Sequence, residues 1–454
     1  MPPRRRARLS ARPYSSVAAA EQCPRGWLAA RRNRPSKRAR RVTTVTAQGG
    51  EDDGTPLTDE ILVGIFAGLP GFSDLVRCAA TCRRWCRLVS GEAAFICRGA
   101  ARRRPPPLRT LALGFFYSHR DGAVPRFAAT ASASRRLGLR QPSLNALVEG
   151  LDDGLFDASR VVASRNGLLV VELHRRYRER ALKLCVCNPM TGEVTVLPPL
   201  GGKEITSPFA CAILTDDDVD DERHLSDPPS SPSSYRLLLV YRRRGFTACR
   251  TYASDGGRWG PQAKAISTVR LGKKTMASMT GTGGVVVGNV AYWHAKGIVL
   301  GVRLDTLRAE HMDMPSTGYH PAGNTLLGVS PDGRLRVVQV VAQAGKESVA
   351  IGVATRSAAG DKWDPLEVIG VVGRLLPAET TRMKLRWMCE KSGVVFLTAG
   401  FADGQTNEVY ALSLDRRQES ERVASHHGGD GDLHGYEMDR TSYLCSLAMD
   451  EDDP

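Results

Sequence analysis

Beyond residue 107 the chain becomes a procession of short β-prone runs, and their recurrence limits the fold more than any other feature. "RTLALGFFY", "GLLVVEL", "ALKLCVCNP", "EVTVLPP", "YRLLLVYRR", "GVVVGNVAYW", "IVLGVRLD", "LRVVQVV", "AIGVAT", "GVVFLTAG" and "EVYALSL" are rich in β-branched and aromatic residues and separated by Gly, Pro, Asn or Asp. Runs of that length between turn residues read as strands, not helices. Gly167-Leu168, Gly284-Val285 and Gly393-Val394 each open one, and the hairpin partners end in turns at Asn188-Pro189, Asp305-Thr306 and Asp415-Arg416. Comparable strands begin near residues 167, 236, 284, 334 and 393, at intervals of 69, 48, 50 and 59. A four-stranded propeller blade takes roughly 40 to 50 residues. The expectation is therefore a β-propeller-like domain over 108–449, with five blades recognisable and length enough for six or seven. The long first interval holds "TDDDVDDERHLSDPPSSPSS", residues 215–234, an acidic, Pro- and Ser-rich insertion suited to solvent.

Residues 55–98 have another texture. "LTDEILVGIFAGLP" at 57–70 reads as a helix, with Thr58 able to cap it, Asp59 and Glu60 at the positive end of its dipole, and Leu69-Pro70-Gly71 to stop it. Ile61, Ile65, Leu69, Leu62 and Phe66 spread over about 140°, wider than the roughly 100° that seals a helix against one core. Two surfaces need covering. A second start at Ser73-Asp74 leads through "LVRCAATCRRWCRLVS" to Gly91, and on continuous helix Cys78, Cys82 and Cys86 would share a stripe with Leu75, Trp85 and Val89 while Arg83, Arg84 and Arg87 face away. A unit of about 40 residues buries too little of itself to be secure without metal, disulfides or a partner. No ligand set or disulfide framework is present, so a protein partner is expected. "GAARRRPPPLR" follows, and residues 99–107 read as a stiff Pro-rich linker holding the modules at a set separation.

Leu57, Asp59, Glu60, Ile61, Leu62, Ile65 and Leu69, then Asp74, Leu75 and Val76, then Cys82, Arg83, Trp85 and Leu88, are spaced like an F-box, and this segment resembles that family. Thr58 stands where the family usually has Pro. The resemblance implies a small three-helix module that docks on the Skp adaptor of cullin-RING ubiquitin ligases. It carries over Leu57, Asp59, Glu60, Ile61, Leu62, Ile65, Leu69, Leu75, Val76 and Trp85 as adaptor-binding positions, Trp85 serving the core first. "NGLLVV…LCVCNPMTGEVTVLPPL" and "VVVGNVAYWH…IVLGVRLDT" are similar to the kelch-type repeats attached to F-boxes in plant proteins, and "GYEMDRTSYLCSLA" at 435–448 to the closing segment of such grass proteins. The fold class implied is multidomain, α plus all-β. The function implied is a non-catalytic substrate receptor of a Skp-cullin-F-box ubiquitin ligase, reaching a cullin through the adaptor and holding a target protein of unknown identity on its β domain. The alternative keeps the architecture as a nuclear scaffold without a ligase role.

Charge is unevenly placed. Residues 1–50 hold 13 Lys and Arg against Glu21, so 12 of the net +15 lie there and the body is near neutral. Nucleic acid is therefore not expected as the body's ligand, Arg242, Arg243 and Arg244 being offset by acids. The basic segment, 1–54, is too polar to build a core, and three readings stay open: a disordered tail, a nuclear import patch at Lys37, Arg38, Arg40 and Arg41, or an organellar transit peptide. Nucleus, cytoplasm or both is the expected location. An acidic tail occupies 450–454. No uninterrupted apolar run of about 18 residues offers a membrane span. Eleven Cys without a CxxC pair point to reduced thiols.

No site for chemistry is expected: no catalytic residue, cofactor or metal. "GTGGVVVG" at 281–288 lacks the third Gly of a dinucleotide fingerprint and runs into β structure, so its glycines shape a turn. "GKKT" at 272–275 has Ser267 where a phosphate loop needs Gly. Asp216, Asp218 and Asp220 alternate like calcium ligands, but Asp221 and Asp227 stand where Gly and Glu belong. His426 and His427 lie in a Gly-rich loop, and His294 beside Trp293 reads as a strand end. A propeller enzyme would need a polar central pocket with perturbed carboxylates.

Overall fold

A computed structural model describes residues 57–69, 72–97, 111–118, 123–137, 142–148, 154–174, 181–200, 208–215, 234–243, 246–264, 271–280, 283–315, 321–342, 349–360, 362–401, 407–414, 419–426 and 432–447. The linker at 99–107, the basic segment, the acidic tail, the aspartate series from 216 and His427 lie outside the described residues, as does the side chain of His426.

The helical unit is α1 (Asp59–Gly68), α2 (Phe72–Ala79) and α3 (Arg83–Gly91). The second helical run is not continuous. Thr81 turns its hydroxyl back onto the Arg77 carbonyl at 3.0 Å, and Cys82 is fully extended at φ −154° and ψ 165°. A β-branched residue bonding its own backbone this way competes with the helix, so Cys78, Cys82 and Cys86 do not form one stripe.

The β domain is a propeller of six blades. Strands β1 (Ala112–Tyr117) and β2 (Arg126–Ala129) come first in the chain but belong to the last blade. Blade 1 is β3 (Arg160–Arg165), β4 (Leu168–Glu172), β5 (Leu184–Cys187) and β6 (Val194–Val196). Blade 2 is β7 (Phe209–Thr215), β8 (Tyr235–Arg242), β9 (Thr247–Ala253) and β10 (Arg258–Trp259), with β11 (Ala263–Lys264) also paired to β9. Blade 3 runs through β12 (Val285–Val287), β13 (Val290–Ala295), β14 (Ile298–Arg303) and β15 (Ala309–Asp313). Blade 4 runs through β16 (Pro321–Val329), β17 (Leu335–Ala342), β18 (Val349–Thr355) and β19 (Glu367–Gly370). Blade 5 runs through β20 (Thr380–Met388), β21 (Val394–Phe401), β22 (Asn407–Ser413) and β23 (Ser420–His426). The sixth pairs β24 (Leu433–Glu437) with β1, and β1 with β2. Phe115 faces Gly435 in the register of that junction.

Both ends of the domain thus zip into one sheet. The six innermost strands β3, β7, β12, β16, β20 and β24 touch in succession around the ring, β24 returning to β3. The strands are apolar on both faces because each sheet is sandwiched between two others: all four residues of β5 are buried, and so are seven of the eight in β21. Six buried apolar clusters fill the six interfaces between neighbouring blades.

A helical turn at 93–97 follows α3, and further helices are α4 (Ala131–Leu137), α5 (Leu144–Leu147), α6 (Lys273–Met279) and α7 (Arg440–Ser446). The closing segment, assigned to the β domain, is strand only to Glu437. Asp439 then caps α7, its carboxylate accepting from the Thr441 amide at 3.0 Å and the Ser442 hydroxyl at 2.6 Å. This cap turns the chain from the ring toward the helical unit.

Candidate functional site

The over-wide apolar sector of α1 is divided between two surfaces. Leu62 and Phe66 point inward at 2% and 1% exposure, while Ile61 and Ile65, one position earlier in each turn, stay 50% and 47% exposed. A step of one residue rotates a side chain by about 100°, which suffices to carry it from one face to the other. Leu57 lies in line before them, 37% exposed, and a Cβ added at Gly64 would meet nothing within 4 Å. The result is an open apolar stripe.

Two devices hold α1 in place. Trp85 of α3 meets Phe66 edge-on, with ring centroids 5.3 Å apart at 67°. Arg84, expected to face away, folds back instead: it donates to the Asp59 carboxylate at 2.9 Å and to the Leu57 carbonyl at 2.7 Å. Thr58 sits at the N-cap with extended backbone but makes no side-chain cap bond. Glu60 is exposed, and hydrogen bonds from its own backbone and from Thr58 hold its carboxyl below the usual range.

The opposite side of the unit is sealed by the chain itself. Leu62, Phe66, Phe72, Leu75, Cys86, Val89 and Ile96 share one buried cluster with Phe116, Phe127 and Tyr436 of blade 6, Leu169 and Cys187 of blade 1, and Tyr443, Leu444 and Leu447 around α7. Phe72 lies 5.5 Å from the Tyr443 ring, the Arg440 guanidinium sits 5.9 Å above Phe72, and the Cys86 thiol donates to the Leu447 carbonyl at 3.4 Å. Tyr436, wholly buried, donates to the Gly167 carbonyl at 2.9 Å and ties blade 6 to blade 1 beneath the contact. The two modules are in direct contact, and the linker expected to set their separation lies outside the described residues.

A second concavity lies on the propeller axis, with about 610 Å³ of empty space including its mouth. Trp387 of β20 reaches across it, its ring 2.7 Å from where a Cβ on Gly283 would stand, and it also abuts Gly435. Gly283 has φ +64°, which turns the chain into β12 as the glycine-rich stretch implied. The charged groups of the cavity are already engaged. Arg165 donates to Glu390 at 2.7 Å and to the Ile213 carbonyl at 3.2 Å, and Glu437 accepts from the Lys391 and Ser392 amides at 3.1 and 2.7 Å. His294, near the end of β13, accepts from the Gly297 amide at 3.4 Å, and burial lowers its pKa. Among the described residues no three His, Cys, Asp or Glu side chains group as metal ligands, and no helix is long and apolar enough to cross a membrane.

Two family models match. Residues 59–95 match the F-box-like family, so the exposed stripe and its supporting helices form an F-box-like domain. Residues 117–364, more than half of the 454, match a domain of unknown function designated DUF7595. The chain belongs to that family. The matched region ends in blade 4, so it takes the remaining strands to close the ring. No curated protein matches. Solved structures align over much of the chain at low similarity. A functionally unknown protein from Desulfotomaculum acetoxidans is 13% identical over 70% of this chain and 80% of its own, with a TM-score of 0.33. The periplasmic gluconolactonase of Pseudomonas aeruginosa is 12% identical over 71% and 98%, with a TM-score of 0.34. A putative 6-phosphogluconolactonase from Bacteroides fragilis is 8% identical over 72% and 98%, with a TM-score of 0.33. At such scores these structures bear on neither the fold nor the activity of this chain.

Within the F-box-like domain, the ten positions expected to meet an adaptor separate by burial. Leu57, Asp59, Glu60, Ile61 and Ile65 are exposed; Leu69, Val76 and Trp85 are half-buried against the shared core. Leu62 and Leu75, at 2% and 4% exposure, face the core and not a partner. The reason is the apolar surface that α7 and blades 6 and 1 supply from the same chain. Phe95, 50% exposed, belongs to the open surface and was not singled out by the sequence, because the helical turn that carries it, residues 93–97, has too few residues to show a period.

Proposed function

We propose that this protein is the substrate-recognition subunit of a Skp-cullin-F-box ubiquitin ligase, its F-box-like domain docking on a Skp-type adaptor and its propeller holding a target protein. One observation carries this reading. Of the five large apolar side chains exposed among the described residues, four, Leu57, Ile61, Ile65 and Phe95, belong to the F-box-like unit, and only Val196 belongs to the propeller. Apolar surface gathered in one small module marks an interaction site.

In this reading the chain makes and breaks no bonds. It acts by proximity, raising the local concentration of target lysines beside a reactive thioester carried by another subunit. The bonded state of Arg165, Glu390 and Glu437 supports a non-catalytic role for the axial cavity. The propeller is read as kelch-like, of the kind joined to F-boxes in plants, and the protein as acting in nucleus or cytoplasm. Co-precipitation of the full chain with a Skp-type adaptor tests the proposal: capture by the wild type, abolished in Ile61→Asp/Ile65→Asp, is expected. Failure of the wild type to capture the adaptor removes the ligase reading.

A further inference from the structure

The ring gives the propeller two unlike ends. Each innermost strand runs toward the end where α7 leaves Glu437 and meets the F-box-like unit, so the turns from first to second and from third to fourth strand lie there, Asn166-Gly167 and Asn188 among them. The turns from second to third strand, and the connections between blades, lie at the opposite end.

That far end carries unpaired positive charge on blades 2 and 3. Arg242 closes β8, Lys264 closes β11, Lys273 and Lys274 open α6 on the connection between the two blades, and Lys296 stands in the turn between β13 and β14. All five are exposed, and none has a carboxylate partner among the described residues. Asp313, on the outermost strand of blade 3, is the one described acid at this end of the two blades. Elsewhere some cations are matched, Arg77 with Asp74, Arg303 with Asp305, Arg334 with Asp332 and Asp364, and Arg422 with Glu408, while exposed cations without an ion pair among the described residues, such as Arg126, Arg374 and Arg382, are spread over other blades. Clustered cations without counter-charges sustain a positive potential that a bound anion relieves.

We propose that the end of the propeller away from the F-box-like unit, over blades 2 and 3, binds an acidic segment of a partner polypeptide. Four of the five cations are lysines, compact point charges that suit a run of flexible carboxylates better than the bidentate reading of phosphate or base edges that arginine provides. Of the aromatics of blade 2, Phe246 stands at this end and Trp259, paired with Tyr252, toward the other; both pack into the buried cluster between blades 1 and 2, and the Trp259 indole donates to the Pro198 carbonyl at 2.8 Å. They offer no platform for stacking bases, which separates this surface from one built for single-stranded nucleic acid. Calling this the target-holding face rests on the F-box reading above; the anion-binding property is measured without it.

The test is fluorescence anisotropy of the full chain with a labelled Asp/Glu/Ser peptide. The wild type is expected to bind, and raising salt from about 50 to about 200 mM to weaken binding at least ~10-fold. Lys273→Glu/Lys274→Glu is expected to weaken binding at least ~10-fold, Lys273→Gln/Lys274→Gln by less, and Arg258→Glu, an exposed residue at the opposite end of blade 2, by no more than ~2-fold. Thermal melts confirm that each variant is folded. No binding by the wild type, an equal loss in Arg258→Glu, or displacement of the peptide by an oligothymidylate of equal charge at the same or lower concentration overturns the proposal. Adaptor capture, run in parallel, is expected to be unchanged in all three variants; a wild type that fails to capture the adaptor refutes the ligase reading alone.

Discussion

Replacing Ile61 and Ile65 together by Asp separates the outward face of α1 from its inward face. Each isoleucine is about half exposed, so covering what remains is worth about half of the ~1.5 to 3 kcal/mol for a full side chain, or about 2 kcal/mol for the pair. Two carboxylates left unpaired in a dry contact add ~1 to 3 kcal/mol each. The combined loss is therefore at least about 4 kcal/mol, near 1,000-fold in Kd for the adaptor. Folding should be spared, because exposed substitutions usually change stability by no more than ~0.5 kcal/mol. Leu62→Ala is the opposite case: it empties part of the shared cluster and should cost about 2 to 5 kcal/mol of stability, with adaptor affinity following the folded fraction. Isothermal titration against a purified Skp-type adaptor, beside thermal melts of the same samples, reads both quantities. A folded Ile61→Asp/Ile65→Asp protein that binds within ~3-fold of wild type would refute the assignment of this stripe.

His434 is wholly buried, neither ring nitrogen has a hydrogen-bond partner among the described residues, and burial, with Arg160 nearby, lowers its pKa from 6.5 to about 3. The unfolded chain therefore binds one more proton between those values, and stability should fall with pH from about 6.5 toward 3 by up to ~1.4 kcal/mol per unit; urea titrations at several pH values should show that component absent from His434→Leu. Gly435→Ala would set a Cβ 2.5 Å from Trp387 and 2.9 Å from Phe396, so denaturant unfolding should register a loss of about 1 to 3 kcal/mol from overpacking. Asp439→Ala removes the cap of α7 and should cost about 0.5 to 2 kcal/mol, with faster proteolysis of the F-box-like unit than of the blades. Burial pushes the thiols of Cys185 and Cys211 up to about 12, so native titration with a thiol reagent should leave both unmodified until the ring unfolds.

The helical unit was legible because its signals are local: an acidic first turn, a period of 3.6 and a Leu-Pro-Gly stop within a dozen residues. Five blades were legible for a similar reason, each being a run of hairpins continuous in sequence. The sixth was hidden, since β24 and β1 are separated by nearly the whole propeller and no spacing along the chain registers their pairing. One of the five repeat marks also falls on a different strand: Val285 begins the innermost strand of blade 3, whereas Leu168, Tyr235, Leu335 and Val394 begin second strands. Apolar residues line both strands of each hairpin, so composition could not tell them apart. The division of α1 was half legible. The width of its sector announced two surfaces, but which isoleucine or leucine met which depended on α7, a helix within the segment assigned to the β domain.

The shared cluster also revises why a unit this small can persist. Its size called for a partner, and part of that partner is the propeller: α7 and the seam between blades 6 and 1 bury Leu62, Phe66, Phe72, Leu75 and Val89. That seam is where the ring closes, with Tyr436 of β24 bonded across it to Gly167 of blade 1. The contact that mounts the F-box-like domain is therefore built from residues brought together only when the chain ends pair. Blades that have not closed offer no complete site for α2 and α3, so the inner face of the unit should stay exposed until the last strand is in place. An adaptor stripe presented by a propeller that has closed, and not by one still open, would couple entry into the complex to completion of the fold. Placing a proline at Gly435, in the middle of the closing strand, should then loosen the F-box-like unit as well as blade 6, and hydrogen exchange at α2 and α3 should rise together with exchange at β1. Protection of α2 and α3 that survived the opening of β24 would show the unit to be stable by itself and would end the coupling argument.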